Sequence, residues 1–181
     1  MLNNLLIYRF ILCNIVLGSA AGAAVWGGLA TPIYLDDASH LTKAITALFI
    51  IGWVWTGREV WRVSRCLNSA KQTGRSVPGS PAARGKAEDK LAWLADIATW
   101  LVTLGLLGTV VGFYLALPAE SISPDIRGAQ QAISGLMVGM KTAIGTTILG
   151  VILALWHEVN LRILSTGLAV YWGDRLLAGE R

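Results

Sequence analysis

The residues of this chain best suited to chemistry are hydroxyls set in otherwise apolar runs. Thr109 lies in the middle of Leu104 to Leu117, LGLLGTVVGFYLAL, with Thr103 just before it. Lys141, Thr142, Thr146 and Thr147 lie in GMKTAIGTTILGVILA, Gly139 to Ala154. A threonine can bond its own helix backbone, so any one of them alone reads as structural. Several facing a common interior would line a narrow wet path, offering donors and acceptors to water or a partly dehydrated cation without fixing a charge there. If Thr109 and Thr147 face a common interior, their hydroxyls would line such a path. Lys141 is the residue least at ease, because a charge in hydrocarbon costs about 2.5 to 3.5 kcal/mol on insertion scales unless it is paired or wet. It either snorkels outward or pairs with a carboxylate on a partner helix. Asp96, at the inner mouth of the third apolar stretch, is either a solvated acid favoured by the helix dipole or part of an ion entry.

Other chemistry finds little support. There is no GxSxG, no phosphate-binding glycine loop and no carboxylate pair in a plausible pocket, so the chain is not expected to be an enzyme. Cys13 sits in an apolar run and Cys66 in a basic one, which fits neither a disulfide framework nor a metal site. His40 and His157 fall on opposite sides of the membrane in the topology below. No metal and no cofactor are expected.

The elements that must hold these residues are membrane helices. A hydrophobic fraction of 54% and a charged fraction of 14% lie far from soluble averages, and the mean hydropathy is +0.57. The 181 residues give room for about four crossings and little else. The net charge of +4 gathers beside apolar runs, which favours lipid head groups and topology signals over nucleic acid. The expected fold is therefore all-α and polytopic, with four transmembrane helices.

The first span runs from Phe10 to Leu35, free of charge for about 39 Å of helix, with the small-residue stretch GSAAGAA at Gly18 to Ala24. A secretory signal is the rival reading there, but the apolar run continues past the small residues. Leu41 to Val60 forms the second span, with Trp53 and Trp55 near one end. The third runs from about Ile97 to Leu117 and the fourth from about Ala132 to Trp156. Between spans two and three, Arg58 to Lys90 is strongly basic and so belongs in the cytoplasm, with both termini on the same side. The chain divides into spans one and two (1–62), a flexible basic cytoplasmic loop (63–90), the two threonine-bearing helices (91–160) and a cytoplasmic helical tail (161–181). Gly105, Gly108 and Gly112 share one helix face and, with Gly139 and Gly150, let backbones approach closely.

The segments LGLLGTVVGF (Leu104 to Phe113) and GMKTAIGTTILGVILA resemble the two pore helices of the MotA/TolQ/ExbB proton-channel family. The resemblance covers mainly residues 95 to 160, and the four-span order looks more like MotA than the three-span members. It implies an ion-conducting motor subunit of the bacterial inner membrane, a homopentamer around two single-span helices of a MotB/ExbD/TolR-like partner whose membrane aspartate takes and releases a proton or sodium ion. Thr109 then matches the pore threonine of the third span and Thr147 that of the fourth. A register set on Thr142 instead remains open. Where ExbB-like members carry a glutamate this chain has Thr142, and its basic loop is much shorter than the MotA cytoplasmic domain. Two readings of other classes stand beside it: a structural scaffold assembled by the glycine faces, and a small transporter with its site at Lys141.

Overall fold

The computed structural model describes residues 5–35, 37, 39–73, 81–117 and 126–179. Among them are five helices: α1 (Leu5–Trp26), α2 (Thr31–Leu35), α3 (Leu41–Thr73), α4 (Pro81–Ala116) and α5 (Ile126–Gly179). The fold is all-α.

The first apolar run does not continue as helix to Leu35. It stops at Trp26, because Gly28 takes φ +74°, a left-handed conformation that glycine adopts without steric cost. The amides of Gly27, Gly28 and Leu29 turn back onto the carbonyls of Ala23, Val25 and Ala24, satisfying the helix end. Pro32 then stands in the first turn of α2, where its missing N–H is no loss.

The start of α3 is built around Asp37. Its carboxylate accepts from the Ser39 amide (2.9 Å) and hydroxyl (2.6 Å) and from the Thr42 amide (2.9 Å) and hydroxyl (2.6 Å). Burial works against its charge, but these hydrogen bonds outweigh burial and hold the carboxyl below its ordinary value of 3.8. His40, at φ +57°, makes the tight entry.

Three of the helices are long and apolar enough to cross a membrane: Leu5–Trp26, Arg84–Ala116 and Ile126–Val170. The expected second span is helical but is not among them. Lys43 and Arg58 bracket its uncharged stretch, which is only about 21 Å of helix against a hydrocarbon thickness of about 30 Å. The segment 63–90, expected to be flexible, is instead helical over residues 63–73 and 81–90, as extensions of α3 and α4; the remainder, 74–80, lies outside the described residues. Charge pairing accounts for part of this order: Glu59 meets Arg62 at 2.8 Å and Lys90 at 3.2 Å, joining α3 to α4, and Arg84 meets Glu88 at 2.8 Å along α4. The tail beyond residue 161 simply continues α5.

α4 and α5 form an antiparallel hairpin against which α3 lays one stripe, Thr42, Ile45, Phe49, Gly52, Thr56 and Val60, at three- and four-residue spacing. The core lies here, with Ile45, Leu94, Ile97, Leu101 and Leu164 almost fully buried. α1 lies outside this core and has no buried residue. Ile33 of α2 touches the hairpin beside Gly145, and the part of the hairpin beyond that level is apolar and open: Val110, Phe113, Tyr114, Ile133 and Met137 are all exposed.

Candidate functional site

The hairpin seam is made by glycines. A Cβ built on Gly112 would lie 2.6 Å from the Ala143 amide nitrogen and 2.7 Å from the Gly139 carbonyl. One on Gly150 would lie 2.7 Å from the Leu101 carbonyl and 3.0 Å from Gly105 Cα. A Cβ on Gly108 would run into the Thr146 side chain, and one on Gly139 into Ala116 and the Gly112 carbonyl. The two backbones therefore touch along the seam, and the glycine face is spent within one chain on its own α5.

Close backbones bring short side chains into reach. The hydroxyls of Thr109 and Thr147 hydrogen-bond to each other across the seam. Thr147 Oγ1 also lies 3.1 Å from the Gly105 carbonyl and 3.0 Å from the Ala143 carbonyl, while Thr109 Oγ1 lies 3.4 Å from the Gly105 carbonyl. Two hydroxyl protons thus face a shared set of acceptors, so each can be redirected without leaving a carbonyl far from a donor. Both threonines are half-buried, which leaves the pair at the edge of the seam rather than sealed in it.

The other sequence candidates scatter around this pair. Thr146 is fully buried against Gly108 and donates within its own helix, to the carbonyls of Thr142 (2.9 Å) or Ala143 (3.1 Å). Thr142 is also buried, five residues before Thr147 and so about 7.5 Å along the axis from the hydroxyl pair. Thr103 is exposed and donates to the Thr99 carbonyl at 2.8 Å, away from the seam. Lys141 and Asp96 are exposed on α5 and α4. The structure joins Thr109 to Thr147 and places the other five candidates outside that hydrogen bond.

Two polar groupings toward the basic end are absent from the sequence reading. His157 is completely buried, with Nε2 3.0 Å from the Leu94 carbonyl; since a carbonyl only accepts, Nε2 carries the proton and Nδ1 is a bare acceptor. Gly52 of α3 makes room for the ring, a Cβ there falling 2.9 Å from Cε1. Among the described residues, Nδ1 and the buried Thr56 hydroxyl, one turn along α3 from Gly52, have no hydrogen-bond partner. Beside this layer, Asn14 of α1 joins three helices. Its Oδ1 accepts from Trp53 Nε1 (2.7 Å), Trp156 Nε1 (2.8 Å) and Asn160 Nδ2 (3.3 Å), and its Nδ2 donates to Asn160 Oδ1 (2.7 Å). The available signal was spacing: His157 and Asn160 fall on the stripe of Leu153, Leu161 and Leu164, polar residues where the period calls for core.

Among the described residues no three His, Cys, Asp or Glu side chains are grouped to hold a metal ion. Residues 80–169, which contain the whole seam, match the model of the MotA/TolQ/ExbB proton channel family. No curated protein and no solved structure matches the chain.

Proposed function

With residues 80–169 belonging to the MotA/TolQ/ExbB proton channel family, we propose that this chain is the ion-conducting subunit of a proton- or sodium-driven membrane motor. It works as a conduit and not as an enzyme. In this reading several copies, five by analogy with the family, ring a dimeric MotB/ExbD/TolR-like partner in the bacterial inner membrane, with α3 as a short fourth crossing and both termini in the cytoplasm.

The observation that carries the reading is the hydroxyl pair of Thr109 and Thr147 at the open edge of a seam too tight to shift. A hydroxyl both gives and takes a hydrogen bond, so the pair can exchange partners with a passing water or solvate a partly dehydrated cation. It cannot hold a proton of its own at neutral pH. α4 from Ile97 to Ala116 and α5 from Ile126 to Ala154 contain no carboxylate, so the group that binds and releases the ion comes from the single-span partner's aspartate. The exposed apolar tip of the hairpin supplies surface for that partner and for neighbouring copies.

The test is ion flux in vesicles holding the complete complex. Thr109→Val and Thr147→Val keep side-chain shape and remove the hydroxyl; flux is expected to fall at least about tenfold for each, with assembly unchanged. Unchanged flux would sink the assignment of these two residues. The glycine seam favours one other reading, a structural scaffold, in which threonine variants are silent in every assay and only glycine variants disrupt assembly.

A further inference from the structure

Between α1, α3 and α5, at the basic end of the bundle, lies a groove of about 450 Å³, within the range of sites that bind small amphiphiles. Its walls are apolar, with Leu5 and Leu6 of α1 facing Val159 and Ile163 of α5, and two guanidiniums line it, Arg9 and Arg162. Leu6 itself reaches α5 only because Gly167 has no side chain: a Cβ there would sit 2.6 Å from Leu6 Cδ2. Among the described residues neither Arg9 nor Arg162 takes part in an ion pair, unlike Arg62 and Lys90, which meet Glu59, and Arg84, which meets Glu88. Glu158, one turn before Arg162 on α5, lines a separate groove toward α4, which Arg162 also borders.

We infer that this groove binds one anionic glycerophospholipid, its phosphate between Arg9 and Arg162 and an acyl chain along the leucine, valine and isoleucine wall. A basic recess between membrane helices on the positively charged side selects acidic head groups, while the apolar wall selects a chain-bearing molecule over a free anion. Charge also argues against a second copy of this chain as the occupant. The groove on the other flank of α1 carries Arg58, Arg62 and Arg65, so apposed basic ends would meet like with like. The lipid completes the attachment of a helix that has no buried residue of its own.

The experiment uses the full chain, purified in neutral detergent and stripped of lipid, with its thermal midpoint followed during titration. Phosphatidylglycerol is expected to raise the midpoint by mass action, whereas phosphatidylcholine and inorganic phosphate leave it in place. The Arg9→Gln/Arg162→Gln double variant is expected to need about thirtyfold more phosphatidylglycerol for the same shift. Ile163→Trp, which fills the groove and keeps both charges, is expected to abolish the response. Arg84→Gln/Lys86→Gln, which removes charge elsewhere on the basic end, is expected to respond as the parent does. An equal response to phosphatidylcholine, a response to phosphate alone, or an unaltered double variant overturns the proposal, as does efficient disulfide formation between copies carrying Leu5→Cys and copies carrying Val159→Cys. No partner is needed for these measurements, so their failure leaves the Thr109–Thr147 pathway untouched.

Discussion

The α4–α5 seam and the attachment of α1 are built by opposite means. Along the seam the contact is backbone on backbone at Gly105, Gly112, Gly139 and Gly150, with Gly108 seated against the buried Thr146 side chain. α1 touches the bundle through large side chains and is fixed by one amide, whose oxygen takes hydrogen bonds from two tryptophans and an asparagine. The first arrangement holds two hydroxyls in register and cannot yield without breaking the hairpin. The second is directional but confined to one point, so it can be lost while the hairpin stays whole. A membrane chain has no hydrophobic drive between its helices, and these are the two substitutes open to it: close packing and interhelical hydrogen bonds.

The largest effect is expected from Gly112→Leu, in the seam. The new side chain would meet backbone atoms of Ala143 and Gly139, which cannot rotate away, and a loss of more than about 3 kcal/mol is expected, seen as absence of folded protein in detergent. Asn14→Leu strands the N–H groups of Trp53 and Trp156 and the amide of Asn160. The expected cost is about 3 kcal/mol, with hydrogen exchange rising in α1 and α4–α5 protection unchanged. Equal loosening of both regions would show that the attachment and the seam are one unit.

His157→Leu removes the donor to the Leu94 carbonyl but also an unsatisfied Nδ1, so a smaller loss of roughly 1 to 2 kcal/mol is expected in equilibrium unfolding. Asp37→Asn weakens the entry to α3 by about 1 kcal/mol. Because the folded carboxyl is held below 3.8, the parent's advantage over this variant is full above that pH and disappears as pH falls through the lower folded value. An advantage that persists below that value would remove Asp37 as its source. Smallest of all, Thr103→Val is expected to stay within about 0.5 kcal/mol and to leave flux unaltered, since its hydroxyl serves only the Thr99 carbonyl.

Much of this was legible in the residues alone. The apolar runs, the glycine spacing that puts Gly105, Gly108 and Gly112 on one face, and the placement of hydroxyls on two of the helices are local properties, because the helical period converts sequence spacing directly into a face. Helix ends and lengths are less legible, because each is set by a few atoms. Gly28 ends the first helix because of a backbone angle, and α3 and α4 run into the basic segment with Glu59 meeting Arg62 and Lys90 across it.

Which faces meet is not a local property. Spacing along the chain is enough to put a glycine face and a threonine on the third apolar run. It takes the packed fold to show that the face lies on α5 of the same chain, that Thr109 hydrogen-bonds Thr147, and that His157, Asn160 and Asn14 lie inside or beside the core. Periodicity fixes the angle of a side chain about its own helix axis. The axial offset between two helices is fixed only by how their surfaces pack, and a shift of one turn, about 5.4 Å, would have paired different hydroxyls.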